Sequence, residues 1–133
     1  MSGSAPFLLD THVVVWAVHE LDRLSTHARA LITDVRHELL VSAASAWELA
    51  TKSRVGKLPG GELLVATFEQ QVAALGATLV DITPQDAILA GGFAWSHRDP
   101  FDRMLAAQAL TRSGVLVTAD PALTALAAVP TVW

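Results

Sequence analysis

The chain has 133 residues, of which 52% are hydrophobic, and a formal net charge of −4 at pH 7. This length predicts one domain, residues 1–133, and the apolar content argues against disorder. The acidic balance is unlike that of proteins that hold nucleic acid by bulk electrostatics. Divalent cations bound at a carboxylate site would reverse the sign locally, so a nucleic-acid partner stays open.

The sequence contains no cysteine, which excludes disulfides and thiolate metal sites and favours a reducing, cytoplasmic location. Apolar runs such as residues 13–18 are far shorter than the roughly 18 residues that a membrane span needs, so no membrane partner is expected. Residues 1–6 lack the basic and apolar regions of a secretory signal, and none is expected there.

Apolar runs bounded by turn residues predict strands, and apolar residues at helical spacing predict helices. Strands that alternate with helices predict an α/β fold whose sheet is mostly parallel and covered on both faces. In chain order the predicted elements are strand 7–9, helix 12–19, helix 26–37 capped by Ser25, strand 39–41, a helix to residue 55 capped by Ser42 or Ser45, helix 62–75, strand 78–82, helix 84–94 opened by Thr83 and Asp86, helix 100–112 opened by Asp99, strand 115–118, helix 122–126 and edge strand 131–133.

Four acidic residues fall where this fold places ligands, beyond the carboxyl ends of the parallel strands. Asp10 ends the first strand, Glu48 lies on the helix after the second, Asp102 opens the helix before the fourth, and Asp120 follows that fourth strand. Each also has a structural interpretation, because acids are favoured at helix N-termini and Glu48 could complete a capping box with Ser45.

The apolar flanks of these acids argue for a metal site. A carboxylate at the mouth of a buried strand is costly to ionise unless it is paired, and several carboxylates together raise one another's pKa values. A hard divalent cation such as Mg²⁺, which prefers oxygen ligands, relieves both costs. The chemistry predicted is metal-assisted hydrolysis at phosphorus, with water rather than a side chain as the nucleophile.

Residues 97–103 hold two acids, two arginines and a histidine in seven positions. Asp99 before Pro100 is typical of a helix N-cap, so we predict that Asp99 caps the helix and that Asp102 binds the metal. Arg98 and Arg103 are interpreted either as a phosphate clamp or as partners of a nearby acid. The distinctive pieces of the chain are Leu9-Asp10-Thr11-His12, Trp47-Glu48-Leu49, His97-x-Asp99-Pro100-Phe101-Asp102-Arg103-x-Leu105-x-Ala107-Gln108-Ala109 and Val117-Thr118-x-Asp120.

These four pieces, in this order and spacing, resemble the PIN domain, and more narrowly the VapC-type toxins of prokaryotic type II toxin–antitoxin systems. The resemblance runs from about residue 7 to residue 133. It implies a three-layer α/β/α nuclease whose sheet has four or five strands. It also implies a Mg²⁺ or Mn²⁺ site, single-stranded RNA as the substrate, a homodimer, and a cognate antitoxin whose C-terminal arm covers the site.

Matched position by position, the acidic quartet of that family falls on Asp10, Glu48, Asp102 and Asp120. Asp99 is additional to the general pattern and is interpreted as an outer or second acid. Thr11 and Thr118 match hydroxyl positions of the family that orient carboxylates or water. Arg103, one of the two cations nearest the acids, is predicted as a further supporting residue.

The neighbouring residues leave alternatives open. The basic residues Lys52, Arg54 and Lys57 form either an RNA-facing stripe or, by preference, a solvated helix face. Histidines 12 and 97 are interpreted as hydrogen-bonded structural residues before substrate or metal contacts. Tryptophans 16 and 47 either pack in the interior, contact bases or receive the antitoxin arm.

Three other functions compete with the nuclease. A phospho-receiver domain needs a lysine near its last strand, but the last lysine here is Lys57. An aspartyl phosphatase needs an Asp-x-Asp-x-Thr pattern after the first strand, but the position two residues after Asp10 is His12, so the second acid is missing. A catalytically inactive PIN-like binding module remains as the main alternative, and the presence of all four acids argues against it.

Overall fold

A computed structural model describes residues 4–133. Residues 1–3, which belong to the predicted domain and to the segment where no secretory signal is expected, lie outside the described residues. The chain forms a five-stranded sheet in the order β3-β2-β1-β4-β5, and every neighbouring pair is parallel. The predicted α/β class is confirmed. The strands are β1 (Phe7–Leu9), β2 (Leu39–Ser42), β3 (Ala77–Val80), β4 (Val115–Val117) and β5 (Thr131–Val132).

Helices connect the strands and cover both faces of the sheet, as parallel crossovers require. None of the helices in residues 4–133 is long and apolar enough to cross a membrane. A 3₁₀ turn at Leu21–Arg23 joins the first two of them. The helices are α1 (Thr11–His19), α2 (Thr26–Thr33), α3 (Ala43–Arg54), α4 (Glu62–Ala66), α5 (Phe68–Ala74), α6 (Pro84–Gly92), α7 (Pro100–Thr111) and α8 (Pro121–Thr124).

The central strand β1 separates two apolar layers. Leu8 and Leu9 are both fully buried, and successive side chains of a strand point to opposite faces. Leu9 packs in a cluster with residues of α1, α2 and α3, whereas Leu8 packs with Leu105 of α7 and Leu116 of β4. The sheet is therefore the middle of three layers, and α7 is anchored on the side opposite α1.

Local signals located most helix starts. The side chains of Ser25, Ser42, Thr83 and Asp99 each accept a hydrogen bond from a backbone N–H at the start of their helix. Thr83 and Asp86 form a reciprocal capping box. Of the two serines predicted to cap α3, it is therefore the earlier one that does so.

Two predicted helices differ most from the structure. The helix predicted over residues 62–75 is split at Thr67, whose φ of −117° and ψ of 26° leave the helical region and whose hydroxyl donates to the Leu63 carbonyl at 2.7 Å. Such back-bonding bends helices. The helix predicted to residue 37 ends at Thr33, because Asp34 is extended and accepts hydrogen bonds from the backbone and side chain of Arg36.

Candidate active site

Asp10 lies at the carboxyl end of β1, next to the end of β4. The register pairs Leu9 with Val117, which brings Asp10 beside Thr118. The Thr118 hydroxyl donates to the Asp10 carboxylate at 2.7 Å and accepts from the Asp120 backbone N–H at 3.0 Å. Asp10 occupies the N-cap position of α1, but its side chain makes no capping bond. Its carboxylate is therefore held by β4 and is not used to start α1.

Asp120 does cap a helix, because its carboxylate accepts from the Ala122 backbone N–H at 2.9 Å. The structural interpretation of this residue is correct as far as local structure goes. The side chain is half-buried, and it is close enough to Asp10 and Asp102 for its charge to raise the pKa of both. Capping and membership of the acidic cluster are thus compatible for Asp120.

Glu48 is buried on α3, and its carboxylate receives Lys52 Nζ at 2.6 Å. The alternative capping box with Ser45 is wrong, because α3 begins at Ala43 under the Ser42 cap. The Ser45 hydroxyl instead bonds to the hydroxyl of Thr11 at 2.9 Å, in the interior between α1 and α3. Lys52 thus offsets the charge of one of the candidate acids, whereas the other two basic residues, Arg54 and Lys57, are exposed, as the preferred interpretation of a solvated face expects.

The start of α7 separates the roles of its two acids. Asp99 caps the helix through hydrogen bonds from the backbone N–H groups of Phe101 at 2.8 Å and Asp102 at 3.3 Å, as predicted. Asp102 is buried and does not cap; its Oδ2 is hydrogen-bonded to His97 Nε2 at 2.7 Å. His97 is the structural histidine that was expected, but its partner is one of the four candidate acids.

Burial and mutual repulsion raise the pKa values of two of these carboxyls. Loss of hydration raises the pKa of Asp10, against the hydrogen bond from Thr118, and the charges of Glu48 and Asp120 add to the rise. Loss of hydration raises the pKa of Asp102 to about 6, against its bond to His97, with further increases from Asp99, Asp10 and Asp120. The structure thus brings the predicted quartet to one edge of the sheet.

The donor set fits a hard divalent cation. In residues 4–133, one group offers three metal-ligand atoms that all lie within 4.8 Å of one another, namely His97, Asp99 and Asp102. The complete quartet does not meet that spacing. The carboxylates of Asp10 and Asp102 are nevertheless buried beside other carboxylates, and a cation with oxygen ligands would relieve the cost.

Arg103 forms no salt bridge with an acid in residues 4–133 and is held by backbone carbonyls instead. Its guanidinium donates to four backbone carbonyls: those of Ala90 at 2.7 Å, Phe93 at 2.6 Å, Trp95 at 2.8 Å and His97 at 3.0 Å. Most of the N–H donors that would bind a phosphate or a carboxylate are therefore used. The sequence carries no signal for this role, because one of the four carbonyls belongs to the last turn of α6 and three to the irregular chain between α6 and α7. Arg98, in contrast, is exposed.

Open space adjoins the acids. A depression of about 250 Å³ is lined by Asp10, His12, Trp16, Ala119 and Asp120. A larger groove of about 550 Å³ shares His12 and Trp16 and adds cationic side chains, those of Arg23, Lys52 and Lys57. The lining also includes Glu20, which pairs with Arg23 at 3.5 Å, so part of this positive charge is balanced within the groove.

The two tryptophans near the site differ in exposure. Trp16 is half-buried beside Trp133, with ring centroids 5.8 Å apart, which agrees with the first of the three interpretations, packing. Trp47 is 56% exposed and meets the ring of Phe101 edge-on at 4.7 Å, so interior packing is wrong for Trp47.

Comparison with known proteins agrees with the fold and the motifs. A sequence model of the PIN domain matches residues 7–129. Ribonuclease VapC16 of Mycobacterium tuberculosis is 50% identical over 48 residues, a segment that covers 33% of this chain and 34% of the relative. The match therefore spans about a third of the length of that relative.

Two solved structures share the architecture across nearly the whole chain. A chain of DNA-bound VapBC from Salmonella typhimurium has a TM-score of 0.69 and 20% identity, covering 97% of this chain and 98% of that one. A chain of VapBC2 from Rickettsia felis, bound to a promoter DNA fragment, has a TM-score of 0.65 and 15% identity, with coverage of 95% and 96%. At these identities the likeness shows the fold alone.

Proposed function

The chain belongs to the PIN domain family, and we propose that it is a metal-dependent endoribonuclease that acts as the toxin of a toxin–antitoxin pair. The proposal includes single-stranded RNA as the substrate and keeps the predicted extent of one domain, residues 1–133, and the cytoplasmic location. The observation that carries it is the burial of Asp10 and Asp102 at one sheet edge, where loss of hydration and then the charges of neighbouring carboxylates raise both pKa values.

In this proposal Asp10, Glu48, Asp102 and Asp120 hold Mg²⁺, with Mn²⁺ as the alternative ion. When bound, such an ion lowers the pKa of a water molecule and stabilises charge in a displacement at phosphorus. The chain's own residues position the ligands: Thr118 donates to Asp10, and Lys52 pairs with Glu48. Thr11 supports the same region through its bond to Ser45.

The groove beside the acids is the proposed path of the RNA. Its cationic side chains suit a phosphate backbone, and Trp16 offers an aromatic surface that suits a base. Because the structural neighbours are VapBC complexes, we also propose a cognate antitoxin whose C-terminal arm covers the site, and a homodimer of this chain. A small upstream reading frame with a DNA-binding N-terminal half is expected; sequencing the neighbouring genes tests this, and its absence would count against the toxin.

A second candidate is a PIN-like module that binds RNA without cleaving it. The Lys52–Glu48 ion pair favours this candidate, because a permanent cation already neutralises one of the four acids. The spacing of the quartet also favours it, since only the group around Asp102 brings three ligand atoms within 4.8 Å in the described residues.

Asparagine substitutions separate the two candidates. We expect Asp10→Asn and Asp102→Asn to reduce Mg²⁺-dependent cleavage of a single-stranded RNA. Loss of a residue that only hydrogen-bonds to a metal ligand costs roughly 10–100-fold, and loss of a ligand itself should cost more. Circular dichroism should show both variants folded. Asp81→Asn, an exposed acid after β3 on the same sheet edge, is the control and should cleave like the parent. Equal cleavage by the parent and Asp102→Asn, both free of contaminating nuclease, would contradict the site.

A further inference from the structure

We propose that His97 is a positioning residue for the cation site: it fixes the Asp102 carboxylate, and Arg103 in turn fixes His97. The inference rests on the proposed function, because it assigns how one of that site's carboxylates is held. It is carried by hydrogen bonds and ring contacts of the chain between α6 and α7, a segment without regular secondary structure.

Arg103 organises this segment from inside. Four hydrogen bonds of 2.6–3.0 Å join its guanidinium to the carbonyls of residues 90, 93, 95 and 97. The guanidinium also lies over the Phe93 ring, 4.7 Å from its centroid. A planar group with five N–H donors can bind several carbonyls in one fixed arrangement, which a lysine cannot copy. Arg103 therefore determines the path of the backbone that carries His97.

His97 connects this backbone segment to the Asp102 carboxylate. Its carbonyl accepts from Arg103, its ring lies 4.8 Å from the Trp95 ring, and its Nε2 bonds to Asp102 Oδ2 at 2.7 Å. The imidazole is thus restrained at the backbone, on a ring face and at one nitrogen. The bond holds the Asp102 carboxylate at Oδ2 and leaves Oδ1 available to a cation.

The geometry favours positioning over direct ligation by His97. The nitrogen nearest the acids, Nε2, is engaged with Asp102 and donates its proton there when the carboxylate is ionised, so no lone pair remains on that atom. Hydrogen-bond partners of metal ligands generally fix ligand orientation, and their loss weakens metal binding 10–100-fold. The same reasoning predicts that any side chain with an N–H at this point can substitute in part.

The test measures Mn²⁺ binding directly, by electron paramagnetic resonance of the free ion, on the full chain without RNA. We expect His97→Ala to weaken Mn²⁺ binding roughly 10–100-fold and His97→Gln, which keeps an N–H donor at similar reach, to recover most of it. His27→Ala, an exposed histidine on α2, is the matched control and should bind like the parent. Thermal unfolding in a chelator checks that each variant is folded.

Two results would overturn the role of His97. Unchanged Mn²⁺ binding in folded His97→Ala would show that Asp102 needs no such partner. Equal loss in the alanine and glutamine variants, together with Ni²⁺ binding that only the parent retains, would make His97 a direct ligand. If the parent binds Mn²⁺ and the variants behave as expected but no RNA is cleaved, the proposed function fails while the positioning role stands.

Arg103→Lys tests the other half of the inference. We expect Arg103→Lys to weaken Mn²⁺ binding. The double variant Arg103→Lys, His97→Ala should bind Mn²⁺ only slightly more weakly than His97→Ala alone, because both substitutions release the same carboxylate. A variant that binds Mn²⁺ normally but has a raised KM for RNA would identify Arg103 as a phosphate contact instead. Full additivity of the two substitutions would separate Arg103 from His97.

Discussion

At the scale of single residues, two buried aspartates show opposite behaviour. Burial acts to raise the pKa of both Asp86 and Asp102. Asp86 nevertheless has a lowered pKa, because Arg112, the Thr83 backbone N–H, Gln108 and Thr111 all donate to it. Asp102 has one partner, His97, and three neighbouring carboxylates. The Asp86 carboxylate is thus stabilised by a cation and several hydrogen-bond donors, whereas the Asp102 carboxylate has one donor and is destabilised by neighbouring negative charges.

The raised pKa values predict how the metal-free protein responds to pH. A carboxyl whose pKa is raised by folding binds a proton more tightly in the folded state than in the unfolded state. Its contribution to stability is therefore fully present below the unfolded pKa of about 3.9. That contribution is lost as the pH rises through the folded pKa, which is about 6 for Asp102. In a chelator we therefore expect the parent to lose more unfolding free energy than Asp102→Asn between pH 4 and 6.

Urea denaturation at a series of pH values measures this difference. The variant serves as the reference, because every other titrating group is common to the two proteins. Parallel stability curves for the parent and Asp102→Asn would contradict the raised pKa. Saturating Mg²⁺ should abolish the difference in slope, since a bound cation favours the ionised carboxylate.

At the scale of elements, α7 matters most because it joins the core to the site. Its inner face is buried with Leu105, Ala106 and Ala109 packed on Leu8 of β1, and its first turn carries Asp102. Asp86 ties the start of α6 to the end of α7 through Gln108 at 3.1 Å and Arg112 at 3.1 Å. The orientation of α6, and of the segment that follows it, is thereby tied to α7.

Removal of the Arg112 side chain tests this connection. We expect Arg112→Met to lower the free energy of unfolding by about 2 kcal/mol, because a buried carboxylate loses its charged partner but keeps its neutral donors. Arg36→Met is the matched control, since Arg36 pairs with Asp34 at the surface, and its denaturation midpoint should not change. Equal effects of the two substitutions would show that the Asp86 network adds no more than a surface pair.

Substitution of Asp99 separates helix capping from metal binding. Asp99→Ala removes the acceptor for two backbone N–H groups and should destabilise the protein by roughly 1 kcal/mol, whereas Asp99→Asn keeps an acceptor and should be close to the parent. If capping is the whole role, Asp99→Asn also retains Mn²⁺ binding. Loss of binding in this stable variant, measured by calorimetry, would instead make Asp99 a ligand.

At the scale of the whole molecule, the site exists only in the folded sheet. Asp10 and Thr118 are 108 residues apart in the chain and meet because β1 and β4 are neighbours. Glu48 reaches the same edge from α3, which packs against α7 through Ala44, Met104 and Ala107. A ligand that binds all of these groups binds the folded state alone, so its affinity adds to the stability of the entire chain.

Thermal unfolding should therefore depend on the concentration of divalent cation. Mg²⁺ at about 100 times its Kd should add about 2.7 kcal/mol and raise the Tm by several degrees, and the rise should continue with concentration. Asp10→Asn should lose most of this increase, while Asp81→Asn should keep it. Scanning calorimetry with and without chelator measures the effect, and equal Tm values in the parent would argue against a cation site.

The residues responsible for local structure were predictable from the sequence because their signals act over a few positions. The caps at Ser25, Thr83 and Asp99, the short apolar strands and their alternation with helices identified the α/β class and the parallel sheet. The motif order also placed the four acids at one edge, since the carboxyl ends of parallel strands lie together. The break at Thr67 was missed because a threonine hydroxyl bends a helix only in a particular conformation.

What only the tertiary structure decided is which group each charged side chain contacts. Lys52 could as well have faced solvent, and Arg103 could as well have faced the acids. Instead Lys52 pairs with Glu48, and Arg103 binds carbonyls of the chain before α7. A long cationic side chain reaches many partners, and the choice depends on which polar atoms packing leaves unsatisfied nearby. The sequence by itself therefore determined the fold and where the acids gather, and the packed structure determined how each acid is held.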